Sequence, residues 1–169
     1  GNGNMLERLL GPLNLVTTPA GHTLRHLARQ SLSRRLFYHY RGFFAGMRRE
    51  YEREAADGVR TAKRLLYAYR VALTAIHALL EGEIETRVDV LAERYHMPGV
   101  GALIQIKHRA EHQTLREAEA MPHLAACRRI ERVTLLTGDD AGTVFWRSTS
   151  KDNVKSTFGR TSGARLADR

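Results

Sequence analysis

Cysteine is nearly absent from this chain: Cys127 is the only one in 169 residues. An internal disulfide is therefore excluded, and so is a multi-cysteine metal site. A lone cysteine inside the helical run Ala125-Ala126-Cys127 reads as a small buried hydrophobe. No apolar run approaches the roughly 20 residues of a membrane-spanning helix, and the opening Gly1-Asn2-Gly3-Asn4-Met5 is not a secretory signal. A soluble, cytoplasmic protein is expected. Position 1 is not methionine, which admits a chain lacking part of its N-terminus. Four prolines and few Ser or Gly runs argue against extensive disorder. Acidic residues are also scarce, 18 against 27 Lys and Arg, for a formal net charge of +9. That imbalance favours polyanionic partners such as nucleotides or nucleic acid.

Several chemistries are missing as well. No Gly-rich loop followed by Lys-Ser or Lys-Thr is present, and no G-x-S-x-G elbow. Gly99-Val100-Gly101 lacks the last glycine of a dinucleotide fingerprint, and Asp139-Asp140 is an acidic pair within a turn pattern. Among eight histidines, His108 and His112 have helical zinc-pair spacing. Arg109 stands where a zinc-site glutamate belongs, so no metal site is assigned.

What is present is helical periodicity. Short amphipathic helices are expected over Asn4–Leu10 and Thr23–Gln30, with an extended stretch Leu13–Val16 and a turn Thr17–Gly21 between them. From Ser33 a longer helix carries Leu36, Tyr40, Phe43, Phe44, Met47 and Tyr51 through Glu54, and Asp57-Gly58 breaks it. The next, Arg60–Leu80, should fold back as an antiparallel hairpin. Helices are also expected over Thr86–Tyr95, from Val100 through Ala120 up to Pro122, and over His123–Leu136. Thr143–Trp146 reads as a short strand. The expected architecture is an all-α antiparallel bundle over residues 1–136, with a poorly ordered basic tail over 137–169.

The most informative segment is Arg60–Leu80. Lys63, Tyr67, Arg70, Thr74 and His77 recur at alternating steps of four and three, which stacks them on one helix face. Leu66, Tyr69, Leu73, Ile76 and Leu80 form an apolar stripe with the same rhythm. The polar stripe supplies cations, a phenol and an imidazole, the groups that bind phosphate and stack on a base. Tyr38 and His39 on the preceding helix could point across the hairpin toward it. That helix also bears a cluster of Arg34, Arg35, Arg41, Arg48 and Arg49, which suits sequence-independent phosphate contact but reads first as the ordinary solvated face of a basic protein. Lys63, Tyr67, Arg70, His77 and His39 are the candidate binding residues.

Two stretches resemble a known family. Ala62-Lys63-Arg64-Leu65-Leu66-Tyr67-Ala68-Tyr69-Arg70, followed by Glu81-Gly82-Glu83-Ile84-Glu85, resembles the Lys-x-x-x-Tyr-x-x-Arg helix of a bacterial and phage group of nucleotidyltransferases. The group lies in the DNA polymerase β superfamily and includes RNA-repair-associated members. Asn4–Leu13 and Ile104–Lys107 are also similar to it, so the likeness covers roughly residues 4–112; beyond Glu117 the family pattern is not followed. It implies an α/β palm with a Gly-Ser loop and an Asp-x-Asp pair that hold divalent metal (Mg) and a nucleotide triphosphate, closed by a helical region. Loop and pair are absent here. The chain resembles the helical C-terminal portion, with Lys63 and Arg70 on phosphate and Tyr67 stacking or hydrogen-bonding, no catalytic residue of its own, and a missing or separate N-terminal catalytic domain as partner. Two other readings stay open: a stand-alone basic module for RNA or DNA, and a helical protein that docks an acidic partner.

Overall fold

A computed structural model describes residues 3–13, 17–33, 35–109 and 114–136, with side chains through Ile130. Among these residues the chain forms seven helices: α1 Gly3–Leu10, α2 Pro19–Gln30, α3 Arg35–Ala56, α4 Ala62–Glu81, α5 Val88–Arg94, α6 Pro98–Arg109 and α7 Glu117–Leu136. The all-α class is as the periodicity indicates. The expected strand Thr143–Trp146, the tail over 137–169 and most of the stretch Leu13–Val16 lie outside the described residues.

α3 and α4 form the expected antiparallel hairpin. Phe43 meets Tyr67, whereas Glu54, later in α3, meets Arg64, earlier in α4. Gly58, with φ of 83°, supplies the left-handed residue that turns the chain between them. Thr61 then opens α4, its Oγ1 accepting from the Arg64 N–H at 3.4 Å. Gly82, at φ 71°, closes the helix as its N–H donates to the Ala78 carbonyl.

α4 is the axis of the molecule, packed by α3, α5, α6 and α7. Every residue from Val71 to Ala78 is buried, Thr74 and His77 included. A helix apolar almost all round belongs in a core. The apolar stripe therefore sits inward as expected, but the lower half of the polar stripe is inward too. α1 lies against α2 and α3 at one side of the hairpin.

Three boundaries differ from expectation. α2 begins at Pro19 rather than Thr23, because Thr18 caps it, accepting from the Gly21 N–H at 3.0 Å, and Pro19 is pre-set for a first turn. The segment read as one helix from Val100 through Ala120 is divided, since α6 stops at Arg109 and α7 starts at Glu117. Between them Thr114 bridges Thr61, the Leu115 N–H donates to the Arg60 carbonyl, and the Leu115 side chain is buried. Those bonds replace the helical ones the segment would otherwise make. Pro122, expected to interrupt, sits inside α7. The buried face Ala120, Leu124, Cys127 and Ile130 holds that helix together despite the hydrogen bond a proline forfeits.

Candidate functional site

Lys63, Tyr67 and Arg70 occupy the first half of α4, on the side that α3 and α1 leave partly open. Lys63 is exposed, and Tyr67 is 41% exposed. The Arg70 guanidinium lies over that ring, its central carbon 4.7 Å from the centroid, close enough for a cation–π contact. Phe43 of α3 meets Tyr67 edge-on at 6.0 Å. His39, one turn earlier, stacks near-parallel to Phe43 at 6.2 Å. The structure thus brings His39, Tyr67 and Arg70 into one continuous run of rings and cation, with Phe43 as the link.

What fixes this run comes from a distant element. Glu7, the sole acid of α1, reaches into it. Its Oε2 accepts from Arg70 at 2.8 Å and its Oε1 accepts from the Tyr40 hydroxyl at 2.8 Å. The ion pair is well covered, with 21% of the Arg70 side chain and 15% of the Glu7 side chain exposed. Burial works against the charged guanidinium, yet the hydrogen bond and charge of Glu7 outweigh it and hold the Arg70 pKa above its ordinary value. Burial first, then the adjacent Glu7 charge, pushes the Tyr40 phenol far up, so it remains a neutral donor. Gly3, in the first turn of α1, packs against the His39 imidazole so closely that a Cβ there would collide with the ring. Glu7 and Gly3 lie more than thirty residues from their partners, and only the return of α1 onto α3 joins them. The one available signal was that Glu7 stands alone as an acid among apolar and basic neighbours.

Thr74 and His77 are elsewhere. The Thr74 hydroxyl donates to the Glu85 carbonyl at 2.7 Å. His77, 7% exposed, pairs its Nδ1 with the Tyr95 hydroxyl at 2.9 Å. Burial chiefly, then Arg94, depresses the His77 pKa, while burial pushes the Tyr95 phenol up to about 12. His77 thus joins α4 to α5 from inside the core and does not extend the exposed stripe. The arginine cluster of α3 is also divided: Arg48 pairs with Glu52 at 2.6 Å, Arg35, Arg41 and Arg49 are exposed, and Arg34 lies outside the described residues. His112, half of the zinc-like pair, lies outside them too.

Among the described residues no three His, Cys, Asp or Glu side chains are grouped so as to hold a metal ion. The one carboxylate in the cluster is already engaged by Tyr40 and Arg70. These helices therefore do not fit the divalent metal that the family resemblance implies. No described helix is long and apolar enough to cross a membrane.

The model of one protein family, RlaP, the RNA repair pathway DNA polymerase beta family, matches residues 1–139. The chain belongs to the RlaP family. The match takes in all seven helices and reaches past residue 112, where the resemblance read from motifs ended. No curated protein and no solved structure matches the chain. In this RlaP-family chain the Lys63, Tyr67 and Arg70 face is therefore a feature of a DNA polymerase β-type protein, and its Glu7 lock belongs to the same matched region.

Proposed function

We propose that the exposed first half of α4 is the substrate-contacting face of a DNA polymerase β-type nucleotidyltransferase, and that it binds nucleotide or nucleic-acid phosphates. One observation carries the reading: the Arg70 guanidinium is fixed over the half-exposed Tyr67 ring, with Lys63 one turn away on the same face. A ring of that kind offers a surface for a base, and an ammonium beside it meets a phosphate. Arg70, held by Glu7, chiefly orients Tyr67, and the exposed Lys63 lies on the same face to meet phosphate. His39 lines the far end of the ring run through Phe43. His77 has no contact with substrate in this reading.

The described residues bind and orient. Transfer by two metal ions needs clustered carboxylates, and these helices present none. The acidic residues and the magnesium ion are proposed to come from outside them, from a catalytic domain that these helices adjoin.

The test is titration calorimetry of the full chain with a nucleoside triphosphate. Lys63→Ala removes a charge-assisted contact and should weaken binding roughly ten- to a hundredfold, since such bonds contribute about 1.5–3 kcal/mol. Tyr67→Ala should weaken it comparably. Circular dichroism should stay unchanged in both, because neither side chain is buried. Unaltered affinity in both variants overturns the assignment. Arg70→Ala is the less informative change, because it also strands Glu7.

A further inference from the structure

The outer face of α3 carries charge that no carboxylate among the described residues neutralises. The helix has three acids, and each is drawn away from that face. Glu50 and Glu54 both pair with Arg64 of α4, at 3.2 and 2.8 Å. Glu52 takes Arg48 at 2.6 Å and Arg128 of α7 at 2.8 Å. Arg35, Arg41, Arg49 and Arg53 are all exposed, and none has a carboxylate partner among the described residues.

Helical spacing gathers these four around a common stripe. Tyr38 lies three residues from both Arg35 and Arg41, and the steps Tyr38, Gly42, Ala45, Arg49, Arg53 are all of three or four. Tyr38 is 65% exposed and held edge-on against Phe37 at 5.2 Å, which fixes its ring without covering it. Between the arginines the surface is low. A Cβ added at Gly42 or Gly46 would meet nothing within 4 Å. From Arg35 to Arg53 the stripe runs about 27 Å at about 1.5 Å per residue.

We propose that this stripe (Arg35, Tyr38, Arg41, Arg49 and Arg53) is a binding track for single-stranded nucleic acid. Arginines spaced along a helix face match a phosphate backbone without reading sequence, and an exposed ring among them stacks on an unpaired base. A membrane surface suits the face less well. An interfacial helix inserts a broad apolar side, whereas the apolar side of α3 is buried against α4 and the outer stripe offers one large ring, Tyr38, with only Gly42, Ala45 and Gly46 as its small residues. The proposal stands on α3 alone and does not rest on the nucleotide reading of the Lys63 face.

The experiment is fluorescence anisotropy of the full chain with an unstructured RNA of about 16 nucleotides across a salt series. Each lost phosphate contact on a single strand removes about 0.7 from the slope of log K against log salt. Arg35→Gln, Arg49→Gln and Arg53→Gln combined should flatten the slope by about 2. Tyr38→Ala should weaken binding roughly five- to a hundredfold with the slope unchanged. Arg87→Gln, Lys107→Gln and Arg109→Gln combined remove the same charge beside α5 and on α6, and should leave most of the slope in place. Equal flattening by both triple variants overturns the track, and so does RNA binding that the α3 triple leaves intact. Loss of binding to phosphatidylserine vesicles in the α3 triple, with RNA binding retained, would assign the face to a membrane and also overturns it. Nucleotide affinity at Lys63 is read separately, so failure of one assignment is distinguishable from failure of the other.

Discussion

Glu7 is the residue on which the candidate site turns. It accepts from a phenol and a guanidinium at once and sets where Arg70 lies over Tyr67. Glu7→Gln keeps the shape and removes the charge. Hydrogen bonds to charged groups contribute about 1 kcal/mol more than neutral ones, so the variant should unfold at lower urea, by about 1–2 kcal/mol. With the Glu7 carboxylate charge gone, the face shared by Lys63, Tyr67 and Arg70 becomes more positive, and nucleotide affinity should rise in the same variant. The two measurements move in opposite directions, which separates the lock from the site. Lys63, Tyr67 and Arg70 were legible in sequence because they share one helix, and helical spacing fixes which residues share a face. Glu7 was not legible, since nothing local says which distant cation an acid will meet.

Individual elements start and stop through local chemistry reinforced by distant contacts. Thr61 does both: its hydroxyl caps α4, and its backbone bridges Thr114 just before α7. Thr61→Ala removes the cap and keeps the bridge. Loss of about 1 kcal/mol is expected from chemical denaturation, with the α6–α7 connection unchanged by hydrogen exchange at Leu115. Caps of this kind are readable in advance, as at Asp57-Gly58 and Glu81-Gly82. The division of α6 from α7 was not, because the intervening backbone is drawn off by the α3–α4 turn. Pro122 misled for the same reason. A proline signals a break locally, and a buried helix face overrides it.

At the scale of the whole molecule, burial of α4 makes the fold sensitive to acid. His77 has a depressed pKa in the fold, from burial and then Arg94, opposed by Glu81, Glu83 and Glu85. His123, facing the Tyr69 hydroxyl at 3.2 Å, is also depressed by burial. An unfolded histidine titrates near 6.5, so the unfolded chain takes up protons first as pH falls. Stability contributed by these neutral rings is complete above about pH 6.5 and is lost as pH falls toward their folded values. The loss is at most about 1.4 kcal/mol per pH unit for each ring. Urea midpoints measured at about pH 7.5 and about pH 5.5 should therefore diverge. His77→Gln should narrow the divergence, and an unchanged gap would mean that this ring does not titrate on unfolding.

Sequence alone determined the all-α class, the antiparallel hairpin and the three residues of the exposed α4 face, because helix periodicity, caps and breakers act within a few residues. The tertiary structure decided which half of the polar stripe meets solvent. The chain after α4 closes over Thr74 and His77 through the Glu85 carbonyl and Tyr95, while α1 sends Glu7 to Arg70 beside the half-exposed Tyr67. It also decided which arginines gain a carboxylate partner, since most of these pairs join residues brought close by folding.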